Sequence, residues 1–165
     1  ITPLTRRAFR RLARLYGFIP MPPMPPRPHE VEARARAVRR ALALVRRPEP
    51  PVLGLSPEGH DSADGSLLRP PPGVGRFLLQ LAAAELRLLP AGLYEDGGGL
   101  IVRFGPPFAL TCPEGTPRAE RDRWAAEEAM AAVGRLLPPA YWGFCRQRLA
   151  GEHTRAPRGR GLAPR

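Results

Sequence analysis

The chain contains no lysine; all 26 basic residues are arginine. Alanine, glycine and proline are also abundant, so part of the arginine excess reflects a biased composition. Cysteine is scarce. Cys112 and Cys145 form no CxxC pair and no metal-ligand spacing, which excludes a disulfide framework and a cysteine-built metal site. No apolar run approaches the length of a membrane-spanning helix. The first residues carry no secretory-leader pattern and open on Ile1 rather than methionine, so the expectation is a fragment whose natural start lies upstream.

What is present fits one domain of ordinary size, since 165 residues with 43% hydrophobic content suffice for a real core. The net charge of +11 is unevenly spread. Residues 1–47 hold 12 arginines and 2 glutamates, whereas residues 48–116 hold 4 arginines and 8 acids. A basic N-terminal third suggests a surface for polyanions such as lipid headgroups, acyl-CoA phosphates or nucleic acid.

Apolar spacing predicts a helix over residues 3–16, with Leu4, Ala8, Leu12 and Leu15 on one face and arginines on the rest. Two readings of that helix stand. Its basic surface docks on anionic membrane or acyl-CoA phosphates, or its apolar face packs inward and its arginines are merely solvated. Phe18 to Met21 is a short strand candidate. Residues 29–47 form a second helix through Val31, Ala35, Val38, Leu42 and Val45, stopped by Pro48, Pro50 and Pro51.

Val52 to Leu55 is wholly apolar and suits the interior of a parallel sheet. It runs into the polar turn Ser56-Pro57-Glu58-Gly59-His60-Asp61-Ser62, and a strand that delivers charged groups to its C-terminal end is a common way to build a site. A loop to Pro72 follows, then a helix over Gly73 to Glu85. Arg87 to Tyr94 is a strand weakened by Pro90. Glu95 to Gly99 is a turn, and Leu100 to Phe104 returns as the second arm of a hairpin. Thr116 as N-cap with Pro117 at the first helical position opens a helix to about Leu137. A terminal segment carries Tyr141 and Trp142. Residues 150–165 read as a disordered basic tail. Alternation of helix and strand predicts an α/β layered fold, a mostly parallel sheet with flanking helices.

In this order of elements the chain resembles the glycerolipid acyltransferase family, which includes the 1-acylglycerol-3-phosphate acyltransferases. The family has a strand followed by Phe-Pro-Glu-Gly-Thr-Arg-Ser, matched by Ser56 to Ser62. It then has a turn matched by Asp64-Gly65 and an apolar helix matched by Gly73 to Glu85. A strand with a central proline matches Leu89-Pro90-Ala91, and a strand ending in Phe-Gly-Pro-Pro matches Phe104-Gly105-Pro106-Pro107. The likeness covers roughly residues 4–137. It implies a glycerol-3-phosphate acyltransferase-like fold over residues 1–149, lacking its N-terminal part. It also implies acyl transfer from acyl-CoA or acyl-carrier protein to a lysophospholipid-like acceptor, with Glu58, Gly59, His60, Asp61 and Ser62 at the acceptor site. Neither metal nor cofactor is expected.

Two departures qualify it. The family's His-x4-Asp motif, whose histidine is the general base, is absent: His29 is followed at the required position by Arg34, His60 by Gly65 and His153 by Arg158. The expectation is that this pair lies upstream of Ile1 or has been lost. Asp61 stands where the family has a phosphate-binding arginine. Two like charges about 4 Å apart repel by roughly 1 kcal/mol in water and roughly 4 kcal/mol near a protein surface, which disfavours a phosphate acceptor unless Arg69 or Arg76 restores the charge. Ser56, His60 and Asp61 include the residue types of a hydrolase triad, but a plain loop histidine lining a pocket is the simpler reading.

Three functions follow from the sequence. One is a cytoplasmic acyltransferase of glycerolipid synthesis, peripheral on the inner face of the cell membrane. The second is an inactive relative that binds lipid or a protein. The third and weakest is a nucleic-acid-binding protein.

Overall fold

The computed structural model describes residues 11, 17–22, 27, 30–49 and 51–155. The chain divides into two compact units, Ile1–Gly54 and Leu55–Arg165. The helix expected over residues 3–16 lies outside the described residues apart from Arg11.

In the first unit, α1 spans Val31–Val45. Its buried residues are Ala37, Ala41 and Val45, four apart, whereas Val31 is exposed. The apolar spacing located the helix correctly. The buried stripe is rotated toward the alanines, which allow close backbone approach. Arg27 N–H donates to the Glu30 carboxylate at 2.8 Å ahead of the helix, and Glu32 pairs with Arg36 one turn on, at 2.6 Å.

The second unit contains α2 (Val74–Ala82), β1 (Ala91–Asp96), β2 (Gly99–Phe104), α3 (Arg118–Gly134), two single 3₁₀ turns (Pro139–Tyr141 and Gly143–Cys145) and α4 (Arg146–Arg155). It is a mixed α/β arrangement with a small antiparallel sheet. β1 and β2 form the expected hairpin across Gly97-Gly98, in the register Ala91↔Phe104 to Asp96↔Gly99. Pro90 lies just before β1, where its missing N–H costs no ladder bond, and pairing resumes beyond it as a Leu88–Phe108 bridge. One face of the hairpin turns Tyr94 and Ile101 to the core, while Leu93, Leu100, Val102 and Phe104 are exposed on the other.

The core joins Tyr94 to Leu67, Met130, Ala131, Leu137, Trp142, Cys145 and Leu149. α2 buries Phe77, Leu78 and Leu81. The turn after α2 reverses at Glu85, whose φ of 61° places it in the left-handed region usually given to glycine, and Leu86 N–H closes back on the Leu81 carbonyl.

Several expectations are corrected. The mostly parallel sheet is not found among the described residues, which hold only the antiparallel pair. Val52 to Leu55 is irregular chain with Val52 fully exposed, and Phe18 to Met21 forms no strand. An apolar tetrapeptide predicts burial, but a strand exists only with a partner, and the prolines before Val52 remove donors. Pro117 rather than Thr116 occupies the N-cap of α3, because the Thr116 hydroxyl donates to the Pro113 carbonyl at 2.8 Å. The chain past residue 150 is helical to Arg155, anchored by Leu149, which is 1% exposed. No helix among the described residues is long and apolar enough to cross a membrane.

Candidate functional site

The segment from Ser56 to Arg69 is a folded loop whose bonds come from its own ends and from the C-terminal segment. Glu58 is partly buried and accepts the Leu68 N–H at 2.5 Å, ten residues away, so its carboxylate clasps the loop shut. Gly59 follows at φ 77°, the left-handed corner that a β-carbon would strain. His60 and Asp61 are exposed on that corner, and Ser62 is half-buried beside it. Asp64 accepts both the Ser66 N–H at 3.0 Å and the Ser66 hydroxyl at 2.7 Å. The Ser66 hydroxyl, with the Ser66 amide next, holds the Asp64 carboxyl below its ordinary value.

Leu67 is the anchor. Its N–H donates to the Tyr141 carbonyl at 2.9 Å, and its carbonyl accepts the Phe144 N–H at 3.2 Å. Its side chain enters the core. The Tyr141 ring packs on Tyr94 with centroids 5.9 Å apart, and its hydroxyl donates to the Glu95 carbonyl at 3.1 Å. The hairpin and the loop are thereby braced by the same residue.

Arg69 does not complement Asp61. Its guanidinium pairs with Glu127 at 2.5 Å and lies 5.0 Å from the Phe144 ring centroid. For Arg76 the recorded bond is through its backbone N–H, to Asp122 on α3 at 2.7 Å. The charge that Asp61 reverses is therefore not restored by Arg69, which is committed elsewhere.

His60 Nδ1 lies 3.4 Å from the Asp61 carbonyl, and among the described residues no carboxylate hydrogen-bonds to the ring. The Ser56–His60–Asp61 set is not assembled as a triad. His153 lies tilted against Trp142 with 5.4 Å between ring centroids, and His29 lies outside the described residues. No group of three His, Cys, Asp or Glu residues suited to a metal occurs among the described residues.

Two further pieces of the motif set are brought together. Gly105 N–H donates to the Pro90 carbonyl at 3.0 Å, joining the central-proline segment to Phe104-Gly105-Pro106-Pro107, and Arg87 donates to the Pro107 carbonyl at 2.7 Å. Leu67, Tyr141, Gly143 and Phe144 were not legible as parts of the site. The only sequence signals were the apolar pair Leu67-Leu68 closing a polar loop and the aromatic cluster around Gly143.

The loop presents exposed polar groups on a rigid, clasped turn, which suits binding and positioning. It does not contain a histidine–carboxylate pair for proton transfer. No family model matches this chain, and comparison with curated proteins and with solved structures likewise gives no match.

Proposed function

We propose that this is an acyltransferase-like protein of glycerolipid synthesis whose loop from Glu58 to Ser62 forms the acceptor side of the site. The observation that carries the reading is the Glu58–Leu68 clasp, which makes the Pro-Glu-Gly segment a built turn rather than a linker. The order of the matching motifs supports it, as does the contact between Gly105 and Pro90. The proposal extends to the family's layered arrangement; the described residues hold helices and one antiparallel hairpin.

In this reading an acceptor hydroxyl attacks the thioester carbonyl carbon of acyl-CoA or acyl-carrier protein. The carbon–sulfur bond breaks, the thiolate leaves, and the hydroxyl proton passes to a histidine paired with an aspartate. Residues 1–165 contain no such pair in the His-x4-Asp spacing, and the proposal assigns the role of base to none of them. The protein works in the cytoplasm, peripheral on the inner face of the membrane, where acyl donors and lysophospholipids meet.

A second reading has one observation in its favour. No His-x4-Asp spacing occurs in residues 1–165, as expected of a non-catalytic relative that retains lipid or protein binding. Incubating the protein with labelled acyl-CoA and lysophosphatidate, or a neutral lysolipid, separates the two. Acyl transfer above background supports the enzyme. Saturable lysolipid binding without transfer supports the second reading. Absence of both removes the acceptor site altogether.

A further inference from the structure

The loop that carries the candidate site is held by a segment nearly eighty residues further along the chain, and a glycine of that segment lies against the loop backbone. Gly143 has a φ of 47°, and a β-carbon built on it would stand 2.0 Å from the Leu67 carbonyl oxygen and 2.8 Å from the Leu67 nitrogen. Both contacts are with backbone, which no side-chain rotation relieves. The residues on either side of Gly143 are the ones bonded to Leu67 or packed around it. Tyr141 accepts the Leu67 N–H, Phe144 donates to the Leu67 carbonyl, and Trp142 is in the same buried cluster. One residue beyond Leu67, the Leu68 N–H is the donor that Glu58 clasps. At the loop's other corner the Tyr141 ring lies 3.4 Å from where a β-carbon on Gly65 would be.

We infer that Gly143 is a positioning residue for the candidate site. By allowing the backbone of the 139–145 segment to lie directly on Leu67, it fixes the direction of the Leu68 N–H and so sets the Glu58 clasp and the corner bearing His60 and Asp61. The bonded path is short: Gly143 against Leu67, Leu67 joined to Leu68, Leu68 to Glu58, Glu58 to Gly59. A β-carbon at residue 143 must push the two backbones apart by about an ångström, since real β-carbons essentially never come within 3.0 Å of a non-bonded heavy atom. That separation breaks the paired bonds of Leu67 before it disturbs Met130 or Ala131 in α3. That the corner binds an acyl acceptor rests on the function proposed above; the positioning does not.

Amide hydrogen exchange on the whole chain tests this. In Gly143→Ala the Leu67 and Leu68 amides are expected to exchange roughly ten-fold faster or more, on the scale of one lost hydrogen bond, while the Met130 and Ala131 amides keep their protection. Unchanged rates at Leu67 and Leu68 overturn the inference. If Gly143→Ala does not fold, Tyr141→Ala takes its place. It removes the ring from the Gly65 corner without adding atoms at residue 143, and the same amides must again lose protection for the inference to stand. A double-mutant cycle separates positioning from general loosening. Gly143→Ala and Glu58→Ala are expected to be non-additive at the Leu68 amide, because both act on one bond, and strict additivity counts against it. Binding of lysophosphatidate vesicles is measured alongside. Wild-type binding that Gly143→Ala weakens supports both claims, whereas no wild-type binding with the amide effect intact removes the acceptor reading alone.

Discussion

Arg135 and Glu152 meet as a two-bond fork: Arg135 Nε donates to one Glu152 oxygen at 2.8 Å and Nη2 donates to the other at 2.9 Å. The pair ties the end of α3 to α4 and is extended by Arg148, which bonds Glu152 at 3.3 Å and also reaches Glu128. The hydrogen bond from Arg135 is the main cause that holds the Glu152 carboxyl below its ordinary value of 4.5, and the same bond raises Arg135. The four groups join α3 to α4, whose residues 150–155 composition alone assigned to a disordered tail.

That depressed carboxyl predicts a pH dependence. A group whose folded pKa lies below its unfolded value contributes stability that is complete above the unfolded value, here near 4.5, and is lost as the pH falls through the lower folded value. Both side chains are over a third exposed, so solvent screening limits the contribution to about 1 kcal/mol or less. Urea unfolding of Glu152→Gln is expected to show this small deficit at pH 7. The difference from wild type should disappear below the folded pKa, and a deficit that grows on acidification would contradict the assignment.

Asp122 caps α2 from outside that helix. Its two oxygens accept the Gly73 and Arg76 N–H groups, each at 2.7 Å, and its carbonyl leaves no room for a β-carbon on Gly75. Asp122→Ala is expected to cost about 1 kcal/mol and at most roughly 2, the range measured for N-cap carboxylates. Asp122→Asn should cost less, because one acceptor oxygen remains. Thermal unfolding of the two variants checks the order.

Cys145 is buried in the core, and burial pushes its thiol up to about 11. At pH 8 a thiol reagent should therefore modify the half-exposed Cys112 while sparing Cys145 until the protein unfolds. Titration in native buffer is expected to give one fast equivalent, rising to two in denaturant. Two fast equivalents in the native protein would mean that the Leu67–Cys145 cluster opens readily.

Leu149→Ala tests whether α4 belongs to the fold. Leu149 is 1% exposed and packs beside Gly134 and Leu67. Truncating a leucine at such a site costs about 2–5 kcal/mol. Denaturation midpoints measure this directly. A loss below about 0.5 kcal/mol, typical of surface positions, would return the segment to a tail.

Asp61→Arg addresses the acceptor. The residue is exposed and Arg69 is engaged with Glu127, so on the proposed acceptor site the substitution would replace a repulsion on phosphate with an attraction. Lysophosphatidate affinity should rise by roughly five- to ten-fold at low salt, shrink with added salt, and stay unchanged for a neutral lysolipid. Isothermal titration with both acceptors distinguishes this from a general gain in binding.

Local pattern was enough wherever one element carries its own signal. The helices at Val31–Val45, Val74–Ala82 and Arg118–Gly134 follow from apolar spacing and from the prolines and glycines that bound them. The hairpin follows from Gly97-Gly98 between two apolar arms. The polar turn after Leu55 was legible as a turn because glycine and charged residues follow an apolar run. Its geometry was not legible, because the bonds that close and anchor it reach ten residues or more: Glu58 to Leu68, and Leu67 to Tyr141 and Phe144. The parallel sheet failed for the same reason, since Val52 to Leu55 advertises apolar surface without specifying a partner.

The amino-acid order by itself determined the helices at Val31–Val45, Val74–Ala82 and Arg118–Gly134, the hairpin and its turn, and the absence of a His-x4-Asp spacing from residues 1–165. These depend on neighbours within a few residues. Only the tertiary structure decided that Glu58 closes a loop, that Arg69 is taken by Glu127 and Phe144, and that α4 is anchored in the core. It also decided that Gly143 lies on the Leu67 backbone. Each of these is a contact between distant segments, fixed by packing and hydrogen-bond satisfaction, which no local pattern in the sequence records.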